Sequence, residues 1–514
     1  MLVGTHVVGN LYRDSVSLMR MSTNLCDLPG ITQAYCLMAT QTNLELLRET
    51  ALLGESIEAA ANDILIVVEA SDQESLDRGL EAAKEALDAK AVRSNADEKK
   101  DALAPSMVAA IHGQAGSSNL ALISTPGPYA AAEAFKALAE GLNVMIFSDN
   151  VSLADEVLLK QKTKNSDLLV LGPDCGTAII DGIPLGFANN VRRGPIGVVG
   201  ASGTGLQQVA SLVDHFGAGV SQVIGVGGRD LSLQVGGITT RKVLNWFKND
   251  ADTQVIVIVS KSVDEKIGAL ISADCLSLGK PVVICLLGED HEKNQESGMH
   301  VVSTLEDAAR KAVEVAGFSV DQSSFGNEDF AKLVRRSGER KYLRGLYCGG
   351  TFCLEAFQLL QKKLHPLSSN VAYDVRYRMK DPWSSSGHVL IDLGDDIFTR
   401  GRPHPMIDHR VRNERLRQEA MDPEAAVILF DVVLGTGAND SPVEAMAPIL
   451  KEIQGGKMFS DVGPLLCAFV CGTKNDPQSF SRQCAALEKL GVNIFRSSTE
   501  STRAAARILE TFNE

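Results

Sequence analysis

Along most of this chain a short, wholly apolar run gives way to a Gly-rich turn and then to a helical pattern; residues 196–208, IGVVGASGTGLQQ, are the sharpest case. That grammar constrains the fold more than any other feature. A strand with no polar face must be covered on both sides, and a helix after each strand supplies the cover, so a parallel sheet layered by helices is expected. Composition agrees: 45 Gly and 5% aromatics among 45% hydrophobic residues suit Val, Ile, Leu and Ala layers with tight turns better than a β-sandwich. At about 150 residues per domain, 514 residues allow roughly three or four domains.

The net charge of −14 disfavours a nucleic-acid or anionic-membrane partner. Arg13 and Asp14 interrupt the N-terminal segment before an apolar signal region forms, and no run of about 18 apolar residues occurs, so a cytoplasmic chain without a membrane span is expected. The ten cysteines include no CxxC pair. Cys36, Cys285 and Cys467 lie in apolar runs, where reduced thiols behave as small hydrophobes, so neither a disulfide framework nor structural zinc is expected.

The fold class expected is α/β, with several Rossmann-like or flavodoxin-like parallel sheets behind a small N-terminal α/β domain. Residues 1–92 alternate strand and helix and form that small domain. The polar run RSNADEKKDALAP, from Arg93 to Pro105, reads as a linker. Residues 106–193 carry NLALIS, NVMIFSD and DLLVLG with helices between, a Rossmann-like unit. Residues 194–317 form a flavodoxin-like set of strands. A second polar stretch, from about Phe318 to Arg340, leads to 341–514, whose strands GLYCG, HVLIDLG, AAVILFDVVLG, LLCAFVCG and VNIFRSS echo the preceding domain.

In such sheets ligands collect where strands end and helices begin, because unpaired N–H groups and the helix dipole converge there. Ser202, Gly203, Thr204 and Gly205 follow a buried strand and open a helix; the glycines let the backbone curl around a phosphate and the hydroxyls add donors. The alternative is a turn that only packs the helix close. Neither GxxxxGK[ST] nor strict GxGxxG is present, which gives ATP P-loop and NAD chemistry little support. Gly227 and Gly228 free further backbone donors, and Arg229 either forks onto an anion or pairs with a carboxylate such as Asp230. Cys175, in GPDCGT, is either a thiolate at a helix start or a packed small residue. The run IDLGDDIFTRGRPHPMIDHR crowds Asp395, Asp396, His404 and Asp408 onto one loop, able in type to hold Mg²⁺ or to act as acid and base, or else simply solvated.

Together LVLGPDCGTAII, GPIGVVGASGTGLQQ, VIGVGGRDLS, GLYCGGTFCLEA and IDLGDDIFTRGRPHPMID resemble the FdrA family, related to the α chain of succinyl-CoA synthetase, over almost the entire chain. The wider superfamily implies CoA binding, a phosphohistidine and nucleotide-driven acyl-CoA formation. Two departures stand against carrying this over. SMVAAIHGQAGSS, before Asn119, lacks the strand and Gly-loop that cradle CoA, and LLGEDHEKNQESGMHVVS offers His291 and His300 without the family's GHAGA-like turn. CoA and nucleotide are therefore less expected than phosphate, with Mg²⁺ the candidate metal.

FdrA resemblance itself implies a subunit of an oligomeric carbamoyltransferase in anaerobic allantoin use, interconverting oxalurate plus phosphate with oxamate plus carbamoyl phosphate alongside other subunits. On that reading Ser202, Gly203, Thr204 and Gly205 cradle phosphate, Gly227 and Gly228 donate N–H groups, and Arg229 clamps an anionic oxygen. Arg229, His404 and Asp408 are the catalytic candidates, and Asp395 and Asp396 the metal candidates. The alternatives are an NDP-forming acyl-CoA synthetase using another histidine, and a noncatalytic metabolite-binding scaffold.

Overall fold

In a computed structural model the chain is described over residues 2–13, 15–49, 57, 59–96, 104, 106–113, 118–261, 263–287, 298–320, 340–400, 402–455 and 463–513. It divides into two compact units, Met1–Val144 with Asp396–Asp408, and Met145–Asp395 with His409–Glu514.

The first unit opens with β1 (Leu2–Val8), β2 (Ile31–Met38) and β3 (Ile64–Ala70) in the antiparallel order β1-β3-β2. β3 is central, and its period-two alternation serves two cores. Ile66 and Val68 pack with Leu18 and Leu25 of helix Ser15–Cys26 and Leu76 and Leu87 of helix Gln73–Ala96. Leu65 and Val67 pack instead with Leu44 and Leu47 of helix Gln41–Glu49. A strand covered on both faces has no polar side, which is why its first five residues, ILIVV, read as continuously apolar. Helix Gln73–Ala96 runs past residue 92 into the expected linker. Residues 97–103 and 105 of that linker, residues 321–339 of the second and His291 lie outside the described residues.

After helix Met107–Gly113, β4 (Leu120–Ile123) and helix Gly127–Ala139, the chain crosses into the second unit within β5 (Asn143–Ile146). Helix Leu153–Thr163 and β6 (Val170–Leu171) lead to β7 (Thr177–Ile180), β8 (Ile183–Gly186), β9 (Arg193–Gly200), β10 (Val220–Gly225), β11 (Val255–Ser260), β12 (Val282–Leu286) and β13 (Met299–Val302). These last seven form one sheet, ordered β13-β12-β11-β9-β10-β7-β8 and parallel from β13 to β10. The β7–β8 hairpin joins this sheet by pairing antiparallel with β10, although the sequence reading keeps residues 177–186 in the preceding domain. Its cause is local. Asp181 and Gly182, at φ 50° and 82°, make the two-residue Asp-Gly turn whose twist suits a hairpin.

The third sheet contains β14 (Tyr342–Tyr347), β15 (Leu367–Ser369), β16 (His388–Asp392), β17 (Ala425–Val433), β18 (Leu465–Cys471) and β19 (Asn493–Phe495). It is parallel throughout in the order β15-β16-β14-β17-β18-β19. All nine residues of β17 are buried. The chain is thus an α/β protein with more than one parallel, flavodoxin-like sheet. Among the described residues no helix is long and apolar enough to cross a membrane.

Within the second unit the two large sheets are tied by buried polar groups. Asn189 donates to the Leu434 carbonyl and to Asp476 Oδ2, both at 2.9 Å, while Asp476 also accepts from the N–H groups of Asn190 and Thr473, each at 2.7 Å. Leu305 N–H donates to Glu355 Oε1 at 2.8 Å. Each such bond replaces water at an otherwise unsatisfied group, so the seam holds its geometry.

Candidate functional site

Two strand-to-helix turns, one from each sheet, meet at this seam. β9 ends at Gly200, and Ser202 caps helix Gly203–His215, its Oγ accepting from Gly205 N–H at 3.1 Å. β14 ends at Tyr347, and helix Gly350–Leu360 begins after Gly349. In its first turn Thr351 brings Oγ1 to 2.5 Å from Ser202 Oγ. The approach depends on missing side chains. A Cβ on Gly205 would lie 2.5 Å from Ser202 Oγ and 3.2 Å from Thr351 Cγ2, and one on Gly349 would lie 2.9 Å from Thr204 Cγ2. Helix N-termini carry unpaired N–H groups and a partial positive charge, so two of them side by side favour an anion.

Carboxylates line the third-sheet side. Buried Asp431, on β17, accepts from Cys348 N–H at 2.8 Å and Gly349 N–H at 2.9 Å, and Arg412 Nη1 stands 3.1 Å from its Oδ1. Burial raises its pKa, and Arg412 acts against the rise. Asp392, the last residue of β16, is pushed up to about 7, chiefly by burial; Lys261 and the Gly394 N–H oppose the shift, while Asp395 and Asp431 add to it. Its carboxylate packs on Gly350 so closely that a Cβ there would meet Oδ2 at 2.3 Å. Asn370 holds the Asp392 backbone from both sides, donating to its carbonyl and accepting its N–H, each at 2.9 Å. An aspartate that titrates near neutrality next to an anion-favouring turn is able to exchange protons with a bound ligand.

The residues singled out in the sequence fare differently. Ser202, Gly203, Thr204 and Gly205 sit at the helix start expected of them. Arg229 is engaged in the fold: Nε donates to Glu156 and Nη2 to the Val151 carbonyl, both at 2.8 Å, so its carboxylate partner is Glu156 and not the neighbouring Asp230. Asp230 is buried against Lys160 Nζ at 2.8 Å and accepts from Thr240. Gly227, at φ 86°, is required for packing, since a Cβ would lie 2.4 Å from the Pro173 carbonyl oxygen; a Cβ on Gly228 would meet nothing within 4 Å. Cys175 is buried and its thiol contacts the Gly225 carbonyl at 3.2 Å; burial pushes its pKa up to about 12, so it is a packed residue and not a thiolate nucleophile.

The acidic loop is divided between units: Asp396–Asp408 belongs to the first and Asp395 to the second. His404 Nδ1 accepts from Met406 N–H at 3.2 Å, and burial drives its pKa down to about 4, leaving it neutral at pH 7. Asp408 Oδ2 accepts from Thr23 at 3.4 Å. Among the described residues no group of three or more His, Cys, Asp or Glu side chains is placed to hold a metal ion. Thr351, Lys261 and Asp431 escaped sequence reasoning. The signal for Thr351 was present in GLYCGGTF, another Gly turn before a helix, and that for Asp431 in AAVILFDVV, a lone carboxylate in an apolar strand; nothing local marks Lys261.

Three family matches follow the architecture: "AllF, heavy metal-associated domain" over residues 1–104, "Succinyl-CoA ligase like flavodoxin domain" over 193–324, and "CoA-ligase" over 346–508. The protein YahF of Escherichia coli K12 is 40% identical, with 96% of each chain covered. The succinate–CoA ligase [ADP-forming] subunit alpha 1 of Archaeoglobus fulgidus is 27% identical over 43% of this chain and 76% of its own. Among solved structures, the apo dinucleotide-forming acetyl-coenzyme A synthetase 1 of Ca. Korarchaeum cryptofilum matches 77% of this chain and 83% of its own at 14% identity and a TM-score of 0.33. Full-length identity to YahF, with the ligase-type matches falling on the second and third sheets, places this chain in the FdrA family, related to the α chain of succinyl-CoA synthetase.

Proposed function

We infer that this protein handles an acyl phosphate, with the phosphate oxygens held between helix Gly203–His215 and helix Gly350–Leu360. The observation that carries the reading is the 2.5 Å approach of Ser202 Oγ and Thr351 Oγ1, which sets two helix N-termini from different sheets at one point. Preorganised N–H donors there stabilise charge on a phosphate that attacks, or leaves, a carbonyl carbon, with no reorganisation at the moment of reaction. The ligase-type similarity of the second and third sheets supports the NDP-forming acyl-CoA synthetase form of this chemistry most directly.

One observation favours a second form, carbamoyl transfer between oxalurate plus phosphate and oxamate plus carbamoyl phosphate. A thiolate leaves a carbonyl carbon unaided, whereas a leaving nitrogen needs a proton, and Asp392 titrates near neutrality beside the site. The deciding experiment assays the protein alone and with its co-produced companion subunits for oxalurate phosphorolysis and, separately, for CoA- and nucleotide-dependent acyl transfer. Carbamoyl phosphate formation selects the second form and acyl-CoA formation the first. Ligand-induced stabilisation without turnover in either assay assigns a metabolite-binding subunit and overturns both.

A further inference from the structure

We propose that two copies of this chain associate through a basic strip, residues 373–380, that docks reciprocally on an acidic stripe along helix Gln73–Ala96 of the other copy. The inference goes beyond the acyl-phosphate reading and concerns a surface that reading does not use.

The strip lies in the segment 370–387, which joins the edge strand β15 to β16. Its backbone is braced. Ser369 N–H donates to the Tyr377 carbonyl at 2.8 Å and Met379 N–H to the Ser369 carbonyl at 3.3 Å, so the segment covers the end of β15. The Tyr377 ring meets Phe357 edge-on with centroids 5.5 Å apart, Arg376 N–H donates to Asp374 Oδ1 at 2.9 Å, and Ala372 is buried. On this backbone Tyr373 and Val375 are 70% and 78% exposed, more than any other large hydrophobic residue among those described. A fixed loop that holds two apolar side chains in water has little ordering entropy left to lose when a partner covers them.

Charge names the partner. Arg376, Arg378 and Lys380 alternate with the partly buried Tyr377 and Met379, so the three cations share the outer face. Arg376 Nε donates to Asp374 at 2.8 Å, while among the described residues Arg378 and Lys380 have no ion-pair partner. In a chain of net charge −14 this is a local reversal of sign. Its complement is on helix Gln73–Ala96, where Glu74, Asp77, Glu81 and Glu85 recur every three or four residues and are all exposed along one face. Only Glu81 has a cation near it on that helix, Lys84 at 3.8 Å. Carboxylates at that spacing have Cβ atoms about 5–6 Å apart, and alternate residues of an extended segment are about 7 Å apart, so the two rows match in step. Two strips face to face set cation against cation. Strip against stripe pairs opposite signs, and a two-fold axis makes that contact twice. Exposed ion pairs contribute little singly, so burial of Tyr373 and Val375 carries much of the affinity while the charges fix partner and register.

Sedimentation velocity of the full chain over about 1–100 µM tests this directly. The wild type is expected to pass from monomer to dimer in that range at low salt, and about 0.5 M salt to weaken the dimer by about tenfold. Arg378→Glu with Lys380→Glu abolishes the dimer, as does Glu81→Lys with Glu85→Lys, and the four changes together restore it. Opposite charges placed elsewhere do not rescue a misfolded variant, so restoration separates a lost contact from a lost fold. Val375→Ser weakens the dimer about tenfold at either salt, whereas Leu276→Ser, at another exposed apolar side chain, leaves it unchanged. A chain that stays monomeric throughout, a dimer that either reversal leaves intact, or reversals that fail to restore one another overturns the proposal. Assembly only with an acidic protein of different sequence, or nucleic acid bound by the strip, overturns it as well. None of these outcomes bears on the acyl-phosphate reading, which its own assays decide.

Discussion

The hydroxyl groups of Ser202 and Thr351 stand 2.5 Å apart although 149 residues separate them in the chain. Each residue lies at the start of a helix that follows a buried parallel strand, and the two strands belong to different sheets. One of the pair also accepts a backbone N–H within its own helix. The contact therefore joins local helix capping to the packing of two sheets, and several measurable consequences depend on it.

Removing either hydroxyl leaves the other buried with a lost partner. Ser202→Ala and Thr351→Val should each destabilise the protein by about 1–2 kcal/mol, the serine more because its cap bond to Gly205 is lost as well. The double variant should lose less than the sum, with a coupling of roughly 0.5–1.5 kcal/mol in chemical denaturation. Strict additivity would show that the pair is not coupled.

Gly205 and Gly228 separate steric need from mere flexibility. Gly205→Ala forces a Cβ to 2.5 Å from Ser202 Oγ and should lower phosphate affinity at least tenfold, whereas Gly228→Ala enters open space and should change it by less than about twofold. Bulkier residues at Thr204 and Gly205 together should abolish phosphate-dependent turnover. Equal phosphate affinities in the two single variants, by calorimetry, would remove Gly205 from the site.

The raised pKa of Asp392 also has a sign in stability. The folded protein holds this proton up to about pH 7 while the unfolded chain releases it near its ordinary value of 3.8. The stabilisation is complete below the unfolded value and is lost as pH rises through the folded one. Asp392→Asn lacks this loss, so its stability relative to wild type should climb between pH 4 and 7 and level off above, by roughly 2–4 kcal/mol. Urea melts at a series of pH values read this directly; parallel curves would mean that Asp392 ionises normally.

Arg229 offers a contrast between an anion clamp and a structural brace. Its bonds to Glu156 and the Val151 carbonyl predict that Arg229→Gln lowers the melting temperature while leaving phosphate affinity within about threefold. A loss of affinity far larger than the loss of stability would restore the clamp.

Cys175 should resist alkylation in the native protein because burial pushes its pKa up to about 12. Mass spectrometry after brief iodoacetamide treatment should find it unmodified, and Cys175→Ser should retain phosphate-dependent turnover. Rapid labelling of the folded protein at Cys175 would contradict its burial.

The buried strands, the helices that cover them and the Gly turn at Ser202–Gly205 were legible in the sequence. Each is a local pattern: a wholly apolar run such as VIVIV in β11 points to a doubly covered strand, and Ser before Gly-Thr-Gly marks a helix start. The β7–β8 hairpin was written locally too, in the Asp-Gly turn, but its membership of the flavodoxin-like sheet was not, because antiparallel pairing with β10 is a contact between segments more than forty residues apart. Asp396, His404 and Asp408 fall in the first compact unit and Asp395 in the second, a boundary that the sequence does not mark, because compactness is set by contacts between distant segments.

By itself, then, the order of residues determined the secondary elements, the layered α/β class and the ends of strands where anions are favoured, since these follow from side-chain periodicity and from backbone groups within a few residues of one another. Only the tertiary structure decided that Thr351 would meet Ser202, that Arg229 would pair with Glu156, and that Asp392 would be driven to titrate near neutrality. Those outcomes depend on distance, burial and the field of charges from other elements, and none of these quantities is a function of local sequence.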